Sequence, residues 1–217
     1  KNAQELIITN NNFSNAAVKF DKTNSGIASF FKENKHKIVV LPGFVASTEN
    51  GEATTLGRGG SDYTAAIVAS AVDASILEIW TDVSGMFTTN PKLVKQAYPI
   101  EKLSYQEAME LSHFGAKVLY PPTVQPVLDL NIPIHIKNTL DPASVGTIIS
   151  NNHINSGIPV KGISNINNIA LLTLQGSGMI GIPGFSKRLF ETLSQEKINV
   201  ILITQASSEH SICIGVS

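Results

Sequence analysis

Thr54-Thr55-Leu56-Gly57-Arg58-Gly59-Gly60-Ser61-Asp62, running straight into the alanine-rich segment up to Val72, is the stretch on which the fold turns. Gly57, Gly59 and Gly60 let the backbone come close to a ligand, and Arg58 offers a planar, bidentate donor. The helix predicted over 62–72 would aim its free N–H groups at an anion. The stretch lacks the Gly-Lys-Ser/Thr of a P-loop, and Asp62 stands where a dinucleotide fingerprint needs its third glycine. Composition alone leaves two readings open, a phosphate or carboxylate site and a plain tight turn that caps a helix.

Working outward, Lys37-Ile38-Val39-Val40-Leu41 is a short apolar run closed by Pro42-Gly43, and Ile76 to Trp80 is another that ends at Thr81-Asp82. Both read as buried strands, so strand, glycine loop, helix and strand predict one βαβ unit in an α/β layered domain. Ser104 to Phe114 has amphipathic spacing, with Ser104 and Glu107 in capping-box positions. Ile132 to Lys137 reads as a strand that Pro133 confines to an edge or a strand start. The polar stretch 138–158 reads as loop and holds the expected boundary, giving domains 1–150 and 151–217. In the second domain a strand over 169–174, a helix over 185–196 and strands over 199–204 and 211–216 make a βαββ order, the beginning of a ferredoxin-like module.

With 42% hydrophobic and 15% charged residues, the 217-residue chain has the profile of a soluble globular protein. A net charge of -1 argues against a broad electrostatic grip on nucleic acid or on a membrane. No basic segment followed by a long apolar stretch opens the chain, so cytoplasm is the expected location. Glu5 to Ile8 enters as a strand and the last residues stop inside another, so the chain reads as an excised piece. Cys213, the single cysteine, lies in an alternating apolar run and reads as a small buried strand residue.

Gly176-Ser177-Gly178-Met179-Ile180-Gly181 satisfies G-x-G-x-x-G between a strand and a helix, which raises a nicotinamide-dependent oxidoreductase as a rival function. The strand over 199–204 ends at Gln205 rather than at an acidic residue for a ribose. The segment after it reads as an antiparallel hairpin strand, where a dinucleotide sheet needs another crossover helix.

Residues 54 to 66, Thr-Thr-Leu-Gly-Arg-Gly-Gly-Ser-Asp-Tyr-Thr-Ala-Ala, resemble the signature of aspartate kinases. Thr81-Asp82-Val83-Ser84-Gly85-Met86-Phe87-Thr88-Thr89-Asn90-Pro91-Lys92 is similar to that family's nucleotide-binding loop, and Phe114 to Pro121 to its second nucleotide-side motif. The resemblance implies the C-terminal part of an amino-acid kinase three-layer sandwich followed by a partial ACT domain. The implied reaction is transfer of the ATP γ-phosphoryl group, with Mg²⁺, to the side-chain carboxylate of L-aspartate. Asp62 would be the catalytic residue, orienting a lysine amine rather than acting as a base. Arg58, Gly60 and Ser61 would hold aspartate, Arg58 by its α-carboxylate. Thr81 and Asp82 would face the ribose, Phe87 the adenine, and Lys92 and Lys117 the phosphates.

Two positions depart from the family pattern: Asn90-Pro91-Lys92 replaces Asp-Pro-Arg, and Tyr120 stands where histidine is common. The opening Lys-Phe-Gly-Gly-like strand of such kinases has no counterpart here, so the chain alone is expected to be inactive and the full-length protein to be the kinase. Residues 168–216 resemble the first ACT domain of aspartate kinases, and 202–212 most resemble the threonine-sensitive forms fused to homoserine dehydrogenase. That implies pairing of ACT modules in a homo-oligomer and binding of a feedback amino acid, threonine or lysine, with Met179, Gly184, Asn199, Ile201 and Gln205 as effector contacts. A sensing module without chemistry is the competing reading.

Overall fold

Apolar burial separates the chain into two compact units, Lys1–Asn165 and Ile166–Ser217. The computed structural model describes residues 1–35, 38–113, 118–151, 159–176, 178, 182–205 and 211–216, with residue 113 described by its backbone alone.

In the first unit a small sheet has the order β1 (Ile8–Thr9), β2 (Val45–Thr48), β3 (Ala53–Thr55), parallel between β1 and β2 and antiparallel between β2 and β3. Helix α1 (Phe20–Glu33) separates β1 from β2 in the chain. After β3 the glycine loop leads into α2 (Gly60–Ala71), and then comes a second sheet built from β4 (Leu77–Thr81), β5 (Lys102–Ser104), β6 (Ile134–Asn138) and β7 (Thr147–Ser150) in the order β4-β6-β7-β5. β4 and β6 are parallel, β6 and β7 antiparallel, β7 and β5 parallel. Helices α3 (Tyr105–His113) and α4 (Gln125–Leu128) lie between β5 and β6 in the chain.

Helix α2 belongs to both cores. Ala66 and Ala69 pack with Ile134, Ile136 and Ile149, whereas Ile67 packs with Ile7, Ile27, Ala46 and Leu56. A helix apolar on more than one face is buried on more than one face, and small alanines let a sheet approach closely.

The βαβ expectation fails in its first strand. Residues 38–41 form no strand, and Ile38 and Val40 are 83% and 77% exposed. An apolar run becomes a strand only when a neighbour supplies its ladder, and among the described residues none does. The β2–β3 hairpin precedes the glycine loop instead, and since β3 and β4 belong to different sheets, the loop and α2 join two sheets. Where Glu5 to Ile8 reads as a strand, the chain forms a 3₁₀ turn over Ala3–Glu5, capped by Asn2 Oδ1 accepting from the Gln4 amide, and β1 starts at Ile8. Thr147–Ser150 was expected as loop and is β7.

Other expectations hold. The capping box forms in both directions: the Glu107 amide donates to Ser104 Oγ at 3.1 Å and the Ser104 amide to Glu107 Oε2 at 2.8 Å. Pro133 precedes β6, and its carbonyl accepts from the Leu77 amide at 2.9 Å, so the proline marks a strand start and β6 itself is interior. Residues past β7 return to this unit: Ile163 donates its amide to the Thr88 carbonyl at 2.8 Å, and Lys161 pairs with Glu107 at 2.8 Å.

The second unit consists of β8 (Ala170–Gln175), α5 (Phe185–Gln195), β9 (Val200–Gln205) and β10 (Ser211–Val216), in the antiparallel order β8-β10-β9. Leu193, Ile212, Ile214 and Val216 form its core with Phe185, Leu189, Phe190 and Val200. An antiparallel β10 between β8 and β9 is incompatible with the parallel sheet of a dinucleotide fold, which removes the oxidoreductase reading of 176–181. Ser177 and 179–181 of that motif lie outside the described residues. Cys213 is half-buried in β10.

Candidate active site

The glycine loop is held by its neighbours. Gly57 and Gly59 have φ of 72° and 67°, in the left-handed region that costs other residues dearly. A side chain at Gly59 would run into the ring of Tyr120, and one at Gly60 would come within 2.9 Å of Phe44 and 3.1 Å of Leu56. Thr64 fastens the arrangement: its Oγ1 donates to the Gly60 carbonyl at 2.8 Å and accepts from the Phe44 amide at 3.0 Å.

Out of this fixed turn Arg58 extends into solvent. Ser61 is exposed and Asp62 half-buried in the first turn of α2, where burial raises the Asp62 carboxyl above its usual range. Among the described residues neither the Arg58 nor the Asp62 side chain has a hydrogen-bond or ion-pair partner. A guanidinium left free beside a helix N-terminus, with a carboxyl close by, can take a carboxylate and orient an amine.

Of the nucleotide-side candidates, Thr81 ends β4 opposite Asn138, the last residue of β6, and Asp82 follows it, at the carboxyl ends of parallel strands where ligands sit. Helix α2 rises about 18 Å over its 12 residues, and β4 packs against it and returns about 16 Å. Thr81-Asp82 therefore comes back toward the end of the layer that carries Gly60 to Asp62. Thr81 Oγ1 donates to Asp82 Oδ1 at 3.2 Å, and the Thr81 carbonyl accepts from the Thr139 amide at 2.8 Å. Phe87 is half-buried and bridges Pro99 through its backbone, while its neighbour Met86 is fully buried. Lys92 is exposed at an Asx turn, its amide donating to Asn90 Oδ1 at 3.0 Å. Lys117 lies outside the described residues. Tyr120, three residues on, is the residue packed on Gly59.

Sequence reasoning passed over Thr147 and Asn138, which hold the 81–92 loop from behind. Thr147 Oγ1 accepts from the Met86 amide at 2.8 Å and donates to the Ile100 carbonyl at 2.6 Å, and Asn138 Nδ2 donates to Ser84 Oγ at 2.9 Å. Only Gly146-Thr147 next to an apolar pair hinted at a strand there.

In the second unit Gly184 is the left-handed cap of α5, with φ of 83° and, among the described residues, no heavy atom within 4 Å of where a side chain would start. β9 follows α5 and is packed with it, so Gln205, at the end of β9, lies toward the Gly184 end, whereas Asn199 lies at the opposite end. Ile201 is the extra residue of a bulge: Leu202 pairs with Gly215 and Val200 with Val216. Met179 lies outside the described residues. One unit thus does not gather all the effector candidates at one point.

Comparisons with known proteins bear on the family and the fold. Residues 2–138 match the amino acid kinase family and residues 172–217 an ACT domain. A bifunctional aspartokinase/homoserine dehydrogenase of Haemophilus influenzae is 50% identical over 184 residues, 84% of this chain and 23% of that protein. Lysine-sensitive aspartokinase 3 of Escherichia coli is 41% identical over 177 residues, 82% of this chain and 39% of that protein. The crystal structure of E. coli aspartokinase III in complex with aspartate and ADP superposes with a TM-score of 0.84 at 35% identity, over 100% of this chain and 48% of that one. The chain spans about a quarter of the length of the first-matched curated relatives.

Proposed function

Since the chain belongs to the amino acid kinase family and carries an ACT domain behind its kinase portion, we propose that it is part of an aspartate kinase. The kinase portion would run to about residue 150, with residues 159–165 packed back on the same compact unit, and the regulatory portion would follow. The observation that carries this reading is Arg58, exposed and, among the described residues, unpaired on a glycine turn that its neighbours fix in place, beside the half-buried Asp62.

The reaction brings two anions together, so the work of the site is charge neutralisation and in-line placement. Arg58 would clamp the α-carboxylate of aspartate with Ser61 and the Gly60 backbone beside it. That leaves the side-chain carboxylate to attack the γ-phosphorus. One carboxylate oxygen forms the new P–O bond as the bond to the β-phosphate bridging oxygen breaks, giving an acyl phosphate and ADP. A carboxylate has no proton to lose, so Asp62 would orient a lysine amine rather than act as a base. Thr81 and Asp82 would hold the ribose, Phe87 the adenine, and Lys92 and Lys117 the phosphates. Mg²⁺ would be met chiefly by phosphate and water oxygens. Among the described residues no three His, Cys, Asp or Glu side chains converge on a point.

For regulation, the E. coli relative crystallised with lysine and aspartate gives a precedent for a feedback amino acid. In this protein threonine is the favoured effector and lysine the alternative. Gly184 and Gln205 of one ACT module with Asn199 of a second copy would meet across a homo-oligomer interface, which suits residues that a single unit keeps apart. Effector binding would shift the population of kinase states. Among the described residues no helix is long and apolar enough to cross a membrane, and we assign the protein to the cytoplasm.

ATP-dependent formation of aspartyl hydroxamate by the full-length protein tests the activity, with threonine and lysine added separately to test regulation. Activity that disappears without ATP or without aspartate is the expected result. Binding of an amino acid with no phosphoryl transfer would replace the enzyme by a sensing module.

A further inference from the structure

We infer that Thr147, on β7, is a positioning residue for the nucleotide: its buried hydroxyl sets the conformation of the 82–88 loop from behind. This rests on the kinase reading proposed above, since it concerns the loop to which that reading assigns ribose and adenine.

Three hydrogen bonds close a ring through this hydroxyl. The Met86 amide donates to Thr147 Oγ1, the hydroxyl donates to the Ile100 carbonyl, and the Ile100 amide donates back to the Met86 carbonyl at 2.7 Å. Thr147 is fully buried, as is Met86. Each donor in such a ring polarises the next, and a buried hydroxyl that serves two backbone groups has no water to replace it. The ring sits between the residues whose placement matters: Asp82 lies on one side of Met86 in the chain and Phe87 follows it directly. Gly85 has φ of 115°, and a side chain there would meet the Thr147 backbone nitrogen at 3.0 Å, so the loop passes as close to β7 as a backbone can. Asn138 holds Ser84 and the Ile163 amide holds Thr88, so the ring is the middle of three attachments. It is also the only one of the three that rests on a fully buried side chain. Thr147 is buried behind the loop. It acts through the backbone on either side of Met86.

Valine has the shape of threonine without the hydroxyl, so Thr147→Val leaves the Met86 amide and Ile100 carbonyl buried and unpaired, whereas Thr147→Ser keeps the ring. In the full-length protein T147V breaks both of these backbone hydrogen bonds and is expected to raise KM for ATP about tenfold, with KM for aspartate within about twofold of wild type. T147S is expected to stay within about threefold of wild type for both. Hydrogen exchange over 82–90 supplies a readout that needs no turnover: at an ATP concentration near the wild-type KM, ATP protects these amides in wild type and T147S but only weakly in T147V. If T147V does not fold, Thr147→Ala takes its place. Equal changes in both KM values, a T147S as impaired as T147V, or ATP protection undiminished in T147V overturns the inference while leaving the kinase reading intact. A wild-type protein that neither forms hydroxamate nor shows ATP protection removes both.

Discussion

Helices α2 and α5 begin on the same plan and differ in what surrounds the beginning. Each is capped by a left-handed glycine with no side-chain cap, Gly59 at φ 67° and Gly184 at φ 83°. At Gly59 a side chain would collide with Tyr120, while at Gly184 there is open space. Asp62 stands in the first turn of α2, and α5 has no acidic residue in its first turn. The first helix start is packed by its own chain, through Tyr120, Phe44 and Leu56. Among the described residues, none packs where a side chain at Gly184 would start.

Four measurements break or sharpen that contrast. Arg58→Ala should lower kcat/KM for aspartate about a thousandfold, roughly 4 kcal/mol of lost charge pairing, with melting temperature unchanged because the side chain supports nothing in the fold. A large fall in stability instead would make Arg58 structural. Gly59→Ala should destabilise by about 3 kcal/mol in denaturant unfolding, from backbone strain plus the clash with Tyr120. Gly184→Ala should cost only about 1 kcal/mol, strain alone, so equal losses at the two glycines would erase the distinction.

The smallest effect concerns Asp62. Burial raises its carboxyl above the ordinary value of 3.8. A carboxyl so raised contributes stability in its protonated form, fully present below pH 3.8 and lost as pH rises through the higher folded value. Asp62→Asn should therefore melt slightly above wild type at neutral pH, converge with it in acid, and lose activity. A variant that melts lower at neutral pH would point to a favourable native partner for the carboxylate.

The sequence was most legible where local chemistry decides the outcome. Ser104 and Glu107 marked a capping box from spacing alone, the glycines of 57–60 announced a backbone in close quarters, and the βαββ order of the second unit could be read from its patterns. Legibility failed where partners from elsewhere decide. Residues 38–41 have a strand's composition but no ladder. Thr147–Ser150 is only 4 residues long and sits in polar surroundings, yet gains its place because β5 and β6 flank it. The site divides along the same line. Arg58 and Asp62 advertise themselves by motif, whereas Thr147 has no local signature, because its role comes from backbone groups at positions 86 and 100.

Because α2 faces two sheets at once, its rotational phase is a shared constraint. Successive residues of a helix differ by about 100° in direction, so inserting or deleting a single residue between Gly60 and Ala71 would turn Ala66 and Ile67 away from their respective layers together. No compensating change in one layer could restore the other. Length variation should consequently be rejected within this helix and in the glycine turn before it, and tolerated only in the turn that follows it.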